Sequence, residues 1–143
     1  MVVDMKLDLI PFNLLLSEEK KVELRLFDAK RRRLDIGDYI IFHCGNRANG
    51  AENVLAAQVT ALYRYATFED LFSELSPADC GLAPDISPEA AAQYMLRYYS
   101  PEEVTAYGVL GIRLELRDLN EAYAQKEAEE LARYERLFPD GMK

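Results

Sequence analysis

The sequence predicts an α+β protein, a mostly β, barrel-like sheet with helices inserted between residues 67 and 105 and one more helix after residue 118. Two patterns predict it. Stretches such as Val22-Glu23-Leu24-Arg25-Leu26 alternate apolar and charged residues with the period of two expected of a half-buried strand. The middle of the chain instead carries Ser-Pro and Thr-x-x-Asp sequences, the chemistry of helix N-termini.

In order, residues 5–10 alternate weakly and read as a first strand. Pro11 suits the first turn of a short helix running to residue 16, where its missing N–H has no intrahelical partner to lose. Residues 22–27 form the next strand, Lys30 to Arg33 a basic turn, and Gly37-Asp38 punctuates the chain before a continuous apolar strand at 39–44. Residues 45–50 are a loop by their turn chemistry. Residues 54–63 read as a long strand with Leu55, Ala57, Val59, Ala61 and Tyr63 on one face.

Thr67-Phe68-Glu69-Asp70 has the form of a capping box. Ser76-Pro77, Ser87-Pro88 and Ser100-Pro101 each set a capping serine before a proline fit for the first helical position, and Ser100 with Glu103 makes a second box. Residues 109–116 close the barrel, with Ile112, Leu114 and Leu116 inward and Arg113, Glu115 and Arg117 outward. Residues 118–138 form a charged amphipathic helix whose Leu119, Tyr123, Leu131, Tyr134 and Phe138 share a stripe, expected to fold back on the barrel.

Length and composition bound the class. A chain of 143 residues makes one domain that buries roughly two thirds of its unfolded surface. Hydrophobic residues at 50% and charged residues at 29% describe an ordinary soluble globular protein. No apolar run nears the ~20 residues of a membrane span, and no secretory apolar region opens the sequence, so the cytoplasm is the expected compartment and no membrane partner is expected. Cys44, Cys80 and the single His43 supply neither a disulfide framework nor zinc spacing, and no cofactor is implied.

The net charge of −8 opposes non-specific binding to a polyanion. Basic residues are nevertheless concentrated at Lys20, Lys21, Arg25 and Lys30 to Arg33, while acids gather in residues 118–135. A local basic cleft on an acidic protein suits one nucleotide or a short single strand better than a duplex.

Lys20, Glu23 and Arg25 are the strongest candidates for a site. Residues two apart on a strand share a face, which sets Glu23 and Arg25 ~7 Å apart, and Lys20 approaches from the preceding turn. On a cleft wall, Glu23 accepts from a base or amide while Lys20 and Arg25 contact phosphate or a carbonyl. The plain alternative is an exposed ion pair worth under about 1 kcal/mol. For Arg31, Arg32 and Arg33, a solvated turn and a phosphate contact stand about even. Lys21 faces solvent, Asp38 bonds nearby backbone N–H groups, and Glu102 and Glu103 serve a helix dipole. Tyr98, Tyr99 and Tyr107 are candidate stacking platforms, with core packing the more common fate of such residues. His43 and Cys80 read as packing residues.

The ordered set Glu18-Glu19-Lys20-Lys21-Val22-Glu23-Leu24-Arg25, Gly37-Asp38, Thr67-Phe68-Glu69-Asp70-Leu71, Cys80-Gly81, Tyr98-Tyr99-Ser100-Pro101-Glu102-Glu103 and Tyr107-Gly108-Val109-Leu110-Gly111-Ile112 resembles the ASCH domain, a small β-barrel of the PUA-like group. The family hallmark reads roughly Gly-x-Lys-Thr-x-Glu-x-Arg, and here Glu18 and Lys21 replace its Gly and Thr. The resemblance implies a PUA-like barrel over residues 1–117 and a helical extension over 118–143. It also implies a cleft lined by Lys20, Glu23 and Arg25, joined by Arg31, Tyr99 and Tyr107, that binds RNA or a nucleoside-like ligand. Some ASCH proteins resemble amidohydrolases that deacetylate acetylcytidine with a Lys, a Thr and a Glu. In that comparison Lys20 matches the Lys, Glu23 occupies the position of the Thr, and Glu74 or Asp79 stands in for the acid. Ribonuclease activity has also been associated with the family and would here use Lys20 and Glu23. A protein-interaction module docking through the C-terminal helix is the reading from a different class; oligomeric state is left open.

Overall fold

The computed structural model of the chain describes residues 1–45 and 52–140. Five strands form one curled sheet: β1 (Val2–Lys6), β2 (Val22–Leu26), β3 (Tyr39–Gly45), β4 (Glu52–Tyr65) and β5 (Val109–Arg117). They lie in the order β1-β3-β4-β5-β2, antiparallel except for the parallel pair β1–β3. The sheet is a half-barrel with β1 and β2 as its open edges. Among the described residues the helices are α1 (Leu9–Leu16), α2 (Phe68–Glu74), α3 (Pro88–Met95), α4 (Pro101–Tyr107) and α5 (Leu119–Leu137). None is long and apolar enough to cross a membrane.

Apolar side chains divide between the two faces of the sheet. Inside the half-barrel, Ile40, Phe42, Leu55, Ala57, Val59, Leu110 and Ile112 pack with Phe12 and Leu15 of α1. On the outer face, Val22, Leu24, Leu26 and Val109 pack under Phe68, Leu71 and Phe72 of α2, Ala91 and Met95 of α3 and Val104 of α4. A third, smaller cluster seats Ala122 of α5 on Ile41 and Ala56.

The helix starts follow their sequence chemistry. Thr67 Oγ1 accepts from Asp70 N–H, Ser87 Oγ accepts from Ala90 N–H, and Ser100 with Glu103 forms a complete reciprocal box. Ser76-Pro77 starts no helix: the Pro77 carbonyl accepts from Cys80 and Leu82 N–H, closing a turn that carries Cys80 and Gly81 toward β2.

Three further expectations are corrected. The first strand occupies Val2–Lys6, and α1 has already begun at Leu9, because β1 pairs in parallel with β3, a long-range contact without a local sequence signature. In β4 the register shifts between Val59 and Ala61, so Thr60 is an extra residue and the side-chain alternation reverses. Leu55, Ala57 and Val59 face the interior as expected, but beyond the bulge Leu62 takes the inner face, and Tyr63 and Tyr65 pack outside beneath α2. In α5 only Ala122 is buried and Leu119 half-buried, while Tyr123, Leu131, Tyr134 and Phe138 are exposed. The stripe therefore folds back on the sheet only through its first turn. The loop assigned beyond Gly45 lies outside the described residues.

Candidate functional site

Antiparallel pairing aims the charged face of β2 into the half-barrel. Glu23 pairs with Ile112 and Arg25 with Leu110. Residues directly opposite across a ladder point to the same side, and Leu110 and Ile112 belong to the interior cluster. The apolar face, Val22, Leu24 and Leu26, is covered by helices. Both faces of β2 are thus enclosed, and Glu23 is only 4% exposed.

The buried carboxylate is held on both oxygens. Lys20 Nζ lies 2.7 Å from Glu23 Oε1, and Arg25 Nε donates to Oε2 at 2.8 Å. Arg25 Nη2 also donates to the Lys6 carbonyl at 2.7 Å, so one side chain bridges the two open edges of the sheet. Burial alone would raise the Glu23 pKa. The charges of Lys20 and Arg25, with the hydrogen bonds both donate, outweigh it and hold the carboxyl below its ordinary value. Glu23 is therefore ionised at neutral pH, one carboxylate shared by two cationic side chains.

Local backbone contacts fix Lys20. Its N–H donates to the Leu14 carbonyl at 3.0 Å, and the N–H groups of Lys21 and Val22 both donate to the Asp79 carbonyl, at 2.7 and 2.9 Å. Gly81, at φ +86°, packs where a Cβ would meet Lys20 Cδ at 3.0 Å. Gly81→Ala is therefore expected to destabilise the protein by about 1–2 kcal/mol through backbone strain at positive φ and displacement of the lysine stem. An unchanged urea midpoint would refute this account of Gly81.

Lys20, Glu23 and Arg25 line a cavity of about 880 Å³. Its other walls include Leu9 and Ile10 of α1, Cys80 to Leu82 of the turn, and Tyr94, Met95, Tyr98 and Tyr99 at the end of α3. Tyr94 and Tyr98 meet edge to face at 6.0 Å, and Tyr98 is exposed. Tyr99 stacks on Phe68 at 5.9 Å, so part of its ring is committed to the core while the residue still borders the cavity. Leu9 and Ile10 are exposed, giving the cavity a greasy rim. The Cys80 thiol is pushed up to about 12, chiefly by burial, and remains protonated.

Other candidates fall elsewhere. Tyr107, at the end of α4, is exposed and borders neither of the two cavities beside Arg25, since α4 packs on the outer face of β2. Arg31 belongs to the second of these cavities and pairs with Asp28 at 3.0 Å. Arg32 lies over the Phe27 ring at 4.5 Å. Asp79 pairs with Arg113 at 3.5 Å and Glu74 is exposed on α2, so neither joins the cavity wall. Asp38 accepts from Asp35 N–H at 2.8 Å and lies 2.7 Å from the Met1 amine. His43 Nε2 lies 2.7 Å from Asp4 and borders both cavities. Among the described residues no group of His, Cys, Asp and Glu has the arrangement of a metal site. Sequence reasoning missed Lys6, Leu9, Ile10 and Gly81 as parts of the site; the positive-φ glycine after Cys80 was the one local hint.

Neither a protein-family model nor a curated protein matches the chain. The solved structures that resemble it include two that match over 82% of its length. The crystal structure of the hypothetical protein PH0355 is 28% identical, with a TM-score of 0.67 over 100% of its own chain. The solution NMR structure of protein PF0455 from Pyrococcus furiosus is 29% identical, with a TM-score of 0.61 over 99% of its chain. The chain therefore shares its curled α+β half-barrel with these two proteins.

Proposed function

We propose that this chain is an ASCH-type, PUA-like domain that binds single-stranded RNA or a nucleoside-like ligand in the cavity beside Lys20, Glu23 and Arg25. The observation that carries the reading is the buried, ionised Glu23 held between two cations on the wall of a cavity with an aromatic and aliphatic rim. Such a carboxylate keeps lone pairs for base N–H donors, and Lys20 and Arg25 keep N–H groups for carbonyl or phosphate oxygens. Tyr94 and Tyr98 offer a surface for a base ring. The family resemblance gains support from Glu18, which stands where the hallmark has Gly and adopts φ +65°, the left-handed conformation glycine favours.

Binding fits these features better than hydrolysis. A general base works best with a pKa near the operating pH, and Glu23 is held below the ordinary carboxylate value. No serine or threonine hydroxyl borders the cavity among the described residues to take the place of the family's nucleophilic threonine.

The test is fluorescence titration with a short labelled single-stranded RNA, the same sequence as a duplex, and free nucleosides as competitors. The single strand is expected to bind at low ionic strength, to weaken as salt rises, and to be displaced by at least one nucleoside. Absence of both RNA and nucleoside binding at low salt would end the proposal.

A further inference from the structure

A second cavity of about 880 Å³ adjoins the first, and Lys6, Arg25 and His43 border both. Its wall carries Lys6, Arg25, Lys30, Arg31 and Arg33 against the single carboxylate of Asp4, which is itself bonded to His43. On a chain of net charge −8, this concentration of positive charge is local. Two of the five cations are compensated, Arg25 by Glu23 and Arg31 by Asp28. Among the described residues Lys6, Lys30 and Arg33 make no ion pair. Arg31 Nε adds a second, independent sign: it is buried without a hydrogen-bond partner, the one such side-chain atom among the described residues. A guanidinium with one N–H still lacking an acceptor although its Nη1 pairs with Asp28, beside ammonium and guanidinium groups without ion pairs, leaves donor capacity that an incoming oxyanion satisfies.

We infer that this second cavity is a phosphate subsite, and that the ligand of the protein is a nucleotide or an RNA segment whose base lies in the first cavity and whose phosphate lies in the second. The identity of the anion as the phosphate of the same ligand rests on the function proposed above; the anion subsite itself does not. Arg25, on both walls, stands where base and phosphate groups meet. The chemistry is shared by a terminal monophosphate and an internal phosphodiester, which the probes separate.

Calorimetric titration of the whole chain tests this with inorganic phosphate, the four nucleosides, their 3′- and 5′-monophosphates, and a dinucleotide. The same set is run on a Lys30→Ala/Arg33→Ala variant, which removes two exposed side chains without ion pairs and so leaves the fold intact. At least one monophosphate or the dinucleotide is expected to bind roughly tenfold or more tightly than the parent nucleoside, and the variant to abolish that increment. A dinucleotide as tight as the best monophosphate identifies the phosphodiester; a monophosphate advantage alone identifies the terminal group. A phosphate increment below about threefold, or one that survives in the variant, overturns the subsite. Phosphate binding lost in the variant, without any nucleoside binding, would keep the anion subsite and overturn the nucleoside reading.

Discussion

Glu23→Gln is expected to lower stability by about 3 kcal/mol, roughly 10 °C in Tm. The substitution keeps the shape but leaves Lys20 and Arg25 facing each other across a neutral amide. Their side chains are only 10% and 15% exposed, so neither charge is freely solvated. Breaking a buried ion pair from one side typically costs a few kcal/mol because the remaining charge is stranded. Arg25 would also lose the partner that aligns it toward the Lys6 carbonyl, loosening the bridge between the open edges of the half-barrel. Chemical denaturation of both proteins measures the difference. A loss below about 1 kcal/mol would mean that the two cations relax into solvent and the cluster contributes little to the fold.

The same variant carries a pH signature. The Glu23 carboxyl titrates below its ordinary value of 4.5, because Lys20 and Arg25 overcome the effect of burial. A group with a depressed folded pKa contributes stability that is complete above the unfolded pKa and is lost as pH falls through the folded one. The gap between wild type and Glu23→Gln is therefore expected to be full at neutral pH, to begin closing below 4.5, and to shrink further toward strong acid. A gap that widened with acid would contradict the ionised cluster.

How far the sequence disclosed this arrangement depends on how local each signal is. Strand β2 was legible from Val22-Glu23-Leu24-Arg25-Leu26, β5 from its alternation, and α3 and α4 from Ser87-Pro88 and Ser100-Pro101, since each rests on neighbours in the chain. The direction in which β2 turns its charges was not legible. Alternation usually means apolar inward and polar to water, whereas here helices cover the apolar face and the half-barrel interior takes Glu23 and Arg25. The Thr60 bulge was invisible because one extra residue changes no composition, yet it moves Tyr63 and Tyr65 to the other face. The walls of the first cavity join Lys6, Ile10 and Gly81, from three separate parts of the chain, to Lys20, Glu23 and Arg25, which share a local pattern, and to Tyr98 and Tyr99, which only the family resemblance brought into the group. Tyr107 was grouped with them by family position, and the packing of α4 sets it apart.

Arg25→Ala is expected to weaken binding of a short single-stranded RNA by about 100-fold, close to 3 kcal/mol. Arg25 borders both cavities, so its loss removes contacts to base and phosphate together, and it strips Glu23 of one of its two cations. Arg25→Lys should recover little of the affinity, because an ammonium cannot hold Glu23 through Nε while a second nitrogen reaches the Lys6 carbonyl. Replacing Arg31, Arg32 and Arg33 together by alanine should cost less, roughly tenfold, since Arg32 rests on Phe27 and the other two border the second cavity alone. Circular dichroism and thermal melts at the titration temperature confirm that each variant stays folded while affinity is compared. Should the triple variant abolish binding while Arg25→Ala leaves it unchanged, the ligand sits on the basic turn, and the Lys20–Glu23–Arg25 cluster is a strut of the half-barrel.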